Sequence, residues 1–197
     1  MSKLQELIQR LCPDGVQYKP LGEVACYAKE RVSTKGLSCY VGVETLLQNR
    51  AGVGDYRKLP KTKNSIRFDI DDILVGNIRP YLKKIWLADM DGGTNGDVLT
   101  IRILDRRIRP RFLYYLLAND RFSNFHNQYA KGAKMPRGDK RRVLDFRIPV
   151  PPVEVQEEIV KILDRFADYA AELQAELQAE LQARKQQYEY YRNLLLT

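Results

Sequence analysis

At 197 residues and 22.9 kDa, with 44% hydrophobic and 10% aromatic residues, the chain has room for one compact domain plus an appendage, or for two small domains. Length excludes a large multidomain enzyme, and composition excludes a disordered chain. The net charge of +8 is unevenly spread: residues 153–197 hold five Lys/Arg against nine Asp/Glu, a net of −4, which leaves +12 on residues 1–152.

No apolar run approaches the roughly 18 residues of a membrane helix. The opening MSKLQELIQRLC is amphipathic rather than a signal peptide, so a cytoplasmic location is expected. Cys12, Cys26 and Cys39 form no CxxC pair and read as reduced structural thiols, not as a disulfide framework or a zinc knuckle.

In chain order, residues 4–11 suit a short helix ended by Pro13-Asp14-Gly15. A second short helix opens at Pro20. Strand-like runs follow at 38–44, 66–68, 73–75, 81–88 and 97–104, with Gly52-Val53-Gly54 and Gly92-Gly93-Thr94-Asn95-Gly96 reading as turns. Pro110 then starts a helix, and a further helical stretch covers Arg121 to Tyr129. Ile148-Pro149-Val150-Pro151-Pro152 is the clearest boundary, because prolines lack the N–H that a helix or central strand requires. The expected division is therefore 1–152 and 153–197.

Past that boundary no Gly or Pro occurs up to Thr197, and acids occupy the first turn, where the helix dipole favours them. One uninterrupted helix from Val153, about 65 Å long at 1.5 Å per residue, is the simplest reading. It carries the one internal repeat, Ala-Glu-Leu-Gln three times over residues 171–182. A 3/4 alternation runs through Ile159, Leu163, Phe166, Ala170, Leu173, Leu177, Leu181, Tyr188, Tyr191 and Leu195, with Arg184 its one polar position. A body of about 150 residues cannot cover so long a seam, so a second helix from another chain is expected. The resulting fold class is α+β: one mixed α/β domain followed by a single long C-terminal helix that forms an intermolecular antiparallel coiled coil.

Catalytic groupings are hard to assemble. His126 is the lone histidine, which rules out a multi-histidine metal site within one chain, and its setting among Phe122, Phe125 and Tyr129 favours packing. Asp69, Asp71 and Asp72 read as the polar turn of a strand connection rather than a metal cluster. The glycine-rich stretches lack the P-loop Lys-Ser/Thr and the dinucleotide spacing. No catalytic residue, metal or cofactor is expected.

Basic residues carry the signal, in four clusters. Arg57, Lys58, Lys61, Lys63 and Arg67 form the first, and Arg79, Lys83 and Lys84 the second. Arg102, Arg106, Arg107, Arg109 and Arg111 form the third, and the fourth runs over Lys131, Lys134, Arg137, Lys140, Arg141, Arg142 and Arg147. On a +12 body their joint occurrence points to phosphate binding. In Lys131-Gly132-Ala133-Lys134-Met135-Pro136-Arg137-Gly138, glycines permit close approach of backbone to phosphate. Arg79, between Asn77 and Tyr81, is the candidate base reader, since Arg pairs bidentately with guanine and Asn with adenine.

Four segments carry a family resemblance: Cys-Pro-Asp-Gly-Val-Gln-Tyr-Lys-Pro-Leu-Gly-Glu-Val (12–24), Asp-Ile-Leu-Val-Gly-Asn-Ile-Arg-Pro-Tyr-Leu-Lys-Lys (72–84), Gly-Ala-Lys-Met-Pro-Arg-Gly-Asp (132–139) and Ile-Pro-Val-Pro-Pro-Val-Glu-Val-Gln-Glu-Glu-Ile-Val-Lys-Ile-Leu-Asp (148–164). Together, in this order, they resemble the DNA-specificity subunits of type I restriction-modification systems. The resemblance implies a target recognition domain and a helical region without catalysis of its own, with methylation and ATP-driven cleavage in separate modification and restriction subunits. Family members typically carry two recognition domains and two such helices, paired antiparallel to read a bipartite site. This chain has one of each and resembles a half-subunit. An antiparallel homodimer reading a palindromic bipartite site in double-stranded DNA is the expectation; the alternative is a stand-alone DNA-binding regulator or decoy without enzyme partners.

Overall fold

The computed structural model describes residues 2–196. In chain order the elements are α1 (Lys3–Leu11), β1 (Tyr18–Pro20), α2 (Leu21–Val24), β2 (Ala25–Tyr27), β3 (Arg31–Ser33), β4 (Tyr40–Val41), β5 (Asn64–Phe68) and β6 (Ile73–Gly76). A 3-10 turn at Pro80–Leu82 separates β6 from β7 (Ile85–Leu87). Then come β8 (Gly92–Thr94), β9 (Val98–Ile103), α3 (Pro110–Leu117), α4 (Asp120–Gln128), α5 (Lys140–Leu144), β10 (Arg147–Pro149) and α6 (Val153–Leu196). The chain divides into two compact units, one ending at Glu157 and the other beginning at Glu158, so the first turn of α6 belongs to the body.

The body is built on a four-stranded antiparallel sheet, ordered β2-β9-β6-β7, buried on both faces. Period-2 alternation sends Ile73, Val75, Ile85, Leu99 and Ile101 into a core shared with Leu113 and Leu117 of α3, Phe122 of α4 and Val143 of α5. Leu74, Trp86 and Val98 point the other way, into a second core with Cys39, Val41, Leu46 and Phe68. That core lies beneath a second four-stranded sheet, β3-β5-β8-β4, in which β4 and β8 run parallel. A two-stranded pair, β1 with β10, brings Tyr18–Pro20 alongside Arg147–Pro149.

Several sequence expectations need correction. The run 92–96, expected as a turn, contributes β8: a Cβ on Gly92 would come within 2.6 Å of the Phe68 ring and one on Gly93 within 2.5 Å of Leu37, so glycine is there for close packing between strands. The run 81–88 is only half strand, because Pro80 starts the 3-10 turn and Arg79 and Lys83 on either side of it adopt left-handed backbone. In 38–44 only Tyr40–Val41 is strand, since Thr45 and Leu46 donate back to the Gly42 carbonyl and turn the chain. Strands β1, β2, β3 and β10, each of three residues, and the five-residue α5 are additional. The expected helices and the strand at 97–104 occur within a few residues of their predicted bounds.

α6 is continuous over 44 residues. Its start is fixed within the body: the buried Gln156 side chain accepts from the Arg109 amide at 2.9 Å and donates to the Arg107 and Pro151 carbonyls at 2.8 Å. In the second unit Ile159, Ile162 and Leu163 are half-buried, and from Phe166 onward the large apolar side chains are exposed, between 49% at Leu181 and 81% at Leu196.

Candidate nucleic-acid interface

Strand β6 leaves the core at Gly76, and the contacts of the next residue fix the path of the chain. Asn77 is buried; its amide donates to the Asp97 carbonyl at 2.9 Å, its carbonyl accepts from Gly138 at 3.0 Å, and its Oδ1 lies 3.1 Å from His126 Nε2. Ile78 pairs antiparallel with Arg137, and the Arg79 amide donates to the Pro136 carbonyl at 2.7 Å. The segments 77–82 and 131–138, about fifty residues apart in sequence, therefore form one ledge.

The second segment is a hairpin closed by reciprocal 2.9 Å bonds between Lys131 and Arg137, with Gly132 at φ +109° supplying the left-handed turn. Gly138 docks it: a Cβ there would sit 2.0 Å from His126 Nε2. His126, stacked on Phe122, is held neutral by burial, its pKa pushed down to about 4. Asp139 then caps α5 by accepting from the Arg141 and Arg142 amides, and the Tyr27 hydroxyl donates to the Lys140 carbonyl at 2.8 Å.

The ledge exposes Arg79, Tyr81, Lys131, Lys134, Met135 and Arg137, with Lys140 and Arg141 following on α5. Arg137 reaches Asp97 at 3.3 Å and Lys140 the Gly96 carbonyl at 2.8 Å; both side chains remain largely in solvent. Arg57, Lys58, Lys61 and Lys63 are exposed on the connection between β4 and β5, anchored to the second sheet where the Lys63 carbonyl accepts from Thr34.

Two predicted site residues are turned inward, and a third is paired at the surface. Asn77 is enclosed, with its amide group engaged by His126, so it is not a base reader in this conformation. Lys84 is partly buried with Nζ 2.5 Å from the Val43 carbonyl, and desolvation lowers its pKa. Lys83 pairs with Asp120 at 2.7 Å. Three of the five arginines of the third basic cluster are likewise paired within the molecule: Arg102 with Asp69 and Asp72 at 2.6 Å, Arg107 with Asp105 at 2.7 Å, and Arg109 with Glu157 at 2.8 Å. The carboxylates 69 and 72 are thus ion-pair partners, and among the described residues no group of His, Cys, Asp and Glu could hold a metal. Arg50 and Asp120 escape sequence reasoning altogether, since they meet across seventy positions.

The fold is thus a body of packed sheets with an exposed basic ledge, followed by one long helix whose apolar side chains are exposed from Phe166 onward. The family model "Type I restriction modification DNA specificity domain" matches residues 13–183, and the chain belongs to that family. The chain is similar to the specificity subunit of the type I restriction enzyme EcoR124I/EcoR124II of Escherichia coli, at 30% identity over 134 residues, which is 68% of this chain and 32% of that protein. A putative type I specificity subunit of Haemophilus influenzae is 44% identical over 95 residues, 46% of this chain and 24% of its own. Among solved structures, the HsdS subunit from Thermoanaerobacter tengcongensis superposes with TM-score 0.67 at 25% identity, covering 82% of this chain and 44% of that one. A chain from a study of complex assembly in the type I R-M system gives TM-score 0.70 at 25% identity, covering 86% and 46%. The chain therefore spans a third or less of these two curated relatives and under half of these two solved chains. No described helix is long and apolar enough to cross a membrane.

Proposed function

We propose that this chain supplies one half of the DNA recognition of a type I restriction-modification complex. Residues 1–152 act as the target recognition domain and 153–197 as dimerisation helix and spacer. The observation that carries the reading is the convergence of segments 77–82 and 131–138 on one exposed basic ledge. Lys131, Lys134, Arg137, Lys140 and Arg141 are suited to phosphates, with Arg57, Lys58, Lys61 and Lys63 extending the field. Arg79 and Tyr81 occupy the position from which base edges are read.

The helix seam, Ile159 through Leu195, pairs antiparallel with a second copy, and two identical domains then read an inverted, palindromic bipartite site. The Ala-Glu-Leu-Gln repeats set the half-site spacing, because four residues correspond to about 6 Å, one or two base-pair steps. The glutamates outside the seam offer a docking face for modification subunits, through which a restriction subunit joins. Catalysis belongs to those partners.

Titration of a fluorescent duplex of random sequence across a salt series tests the DNA reading, alongside sedimentation of the chain over a concentration range. Binding whose log K falls against log salt with slope about −5 or steeper is expected for six or more phosphate contacts. A dimer near twice 22.9 kDa is expected in solution. Absence of duplex binding at low salt refutes the first claim, and a monomer at every concentration refutes the second.

A further inference from the structure

Four non-glycine residues with left-handed backbone meet at one spot. Asn49 and Arg50 have φ 55° and 64°; Arg79 and Lys83, on either side of the 3-10 turn, both have φ 50°. For the arginines and the lysine the left-handed form is disfavoured by roughly tenfold each, while asparagine tolerates it more readily. The two turns interlock: the Asn49 amide donates to the Leu82 carbonyl and the Arg50 amide to that of Lys83, both at 2.9 Å. Strained backbone of this kind persists only where its surroundings over-determine it.

Beside these backbone bonds, Asp120, the first residue of α4, ties the two turns through their side chains. Its Oδ1 accepts from Lys83 Nζ at 2.7 Å and from the Arg50 guanidinium, so one carboxylate gathers a cation from each strained turn. Those bonds, the Lys83 one foremost, hold the Asp120 carboxyl below the usual carboxylate range. For a surface that attracts phosphates this is a poor arrangement, because it places an anion beside the ledge and removes two cations from the field. What the arrangement does is link the turn that carries Arg79 and Tyr81 to α4 and to the turn at Asn49–Arg50.

We propose, resting on the DNA-binding reading above, that Asp120 is the positioning residue of the base-reading turn. By gathering Arg50 and Lys83 it holds Arg79–Lys83 in the shape that presents Arg79 and Tyr81 to base edges, and it trades non-specific attraction for sequence discrimination. The substitution suits a clean test. The Asp120 side chain is 63% exposed, and α4 is capped independently by Asn119, which accepts from the Arg121 amide.

The experiment begins with selection of a preferred sequence from a random duplex library by the full-length chain. Affinities are then measured by anisotropy for that duplex and a scrambled one, using wild type, D120N, D120E and K83Q. With D120N the scrambled duplex should bind more tightly and the selected duplex less tightly, so that their ratio falls about tenfold, the scale of one lost bidentate base contact. D120E should recover part of the ratio. K83Q, which opens the same clamp from the other side, should lower the ratio without tightening scrambled binding. If D120N and K83Q both keep the wild-type ratio, Asp120 is an ordinary surface acid and the proposal fails while DNA recognition stands. If the wild-type chain selects no sequence, the recognition reading fails first and takes the proposal with it.

Discussion

Body and helix contain the same kinds of apolar residue and treat them in opposite ways. In the body Leu74, Ile101, Phe68 and Leu113 have essentially no exposed surface, because a sheet buried on both faces supplies neighbours in every direction. In the helix Leu173, Leu177 and Leu181 remain 57%, 60% and 49% exposed. The body, at +12, answers to its own core, whereas the helix, at −4, has an apolar seam longer than a lone soluble helix ordinarily shows. Apolar burial is complete within the first region and left open in the second, which is where the proposed second copy would pack.

The strongest way to break that contrast is to place charge in the seam. Each leucine buried in a helix pair contributes about 1.5–3 kcal/mol, so replacing Leu173, Leu177 and Leu181 with lysine in both copies removes on the order of 10 kcal/mol of association. Sedimentation should find only monomer, and the melting transition of the body should stay where it was. A triple variant that still dimerises would mean that the seam lies elsewhere.

Inside the body a single methyl should do what three charges in the helix do not. Gly138→Ala drives a Cβ against His126 Nε2 at 2.0 Å and Asn77 Oδ1 at 2.8 Å, both on buried residues bonded to each other. Overpacking of this kind costs about 3 kcal/mol, a fall in Tm of about 6–12 °C for a domain of this size. Gly96→Ala is the control, because a Cβ there meets nothing within 4 Å. Differential scanning of both variants should separate them.

The same contrast explains what can be read from sequence. Prolines mark the starts of α3 and α6, since a missing N–H acts locally, and alternation marks β9. The apolar period of the helix is legible to the residue because it needs only its own spacing. The ledge is not: Asn77 has the chemistry of a base reader until His126 and Gly138, 49 and 61 positions away, close over it. Gly92 and Gly93 read as a turn because their packing against Phe68, Ser65 and Leu37 is a tertiary fact. Asp120 gives no signal, as its two partners lie 37 and 70 residues off.

Acid sharpens the comparison further, because the one histidine of the chain lies in the body. Burial lowers its folded pKa from the ordinary 6.5 to about 4, so the unfolded chain takes up the proton first. His126 thus contributes its full stability above pH 6.5 and loses it as pH falls toward 4, a total of about 3 kcal/mol, beyond which the contribution is flat. Thermal melts at pH 7.5 and 5 should differ for wild type and differ less for H126Q, which keeps a side-chain donor for Asn77. Equal pH dependence in both would place the acid sensitivity elsewhere.

The smallest effect asks whether the basic surface is one field or two. Lys134, at the hairpin tip of the ledge, and Lys61, on the connection to β5, are both exposed cations of the same charge. If each meets a phosphate, Lys134→Gln and Lys61→Gln will each flatten the salt dependence of duplex binding by about 0.9 in log–log slope, and the double variant by about 1.8. A slope altered by Lys134→Gln alone would confine DNA contact to the ledge, and the cations at 57–63 would act only as a distant attractive field. That field is weakened once charges lie more than about 8–10 Å from the duplex at physiological salt, so the two variants measure the extent of the interface by a difference in slope.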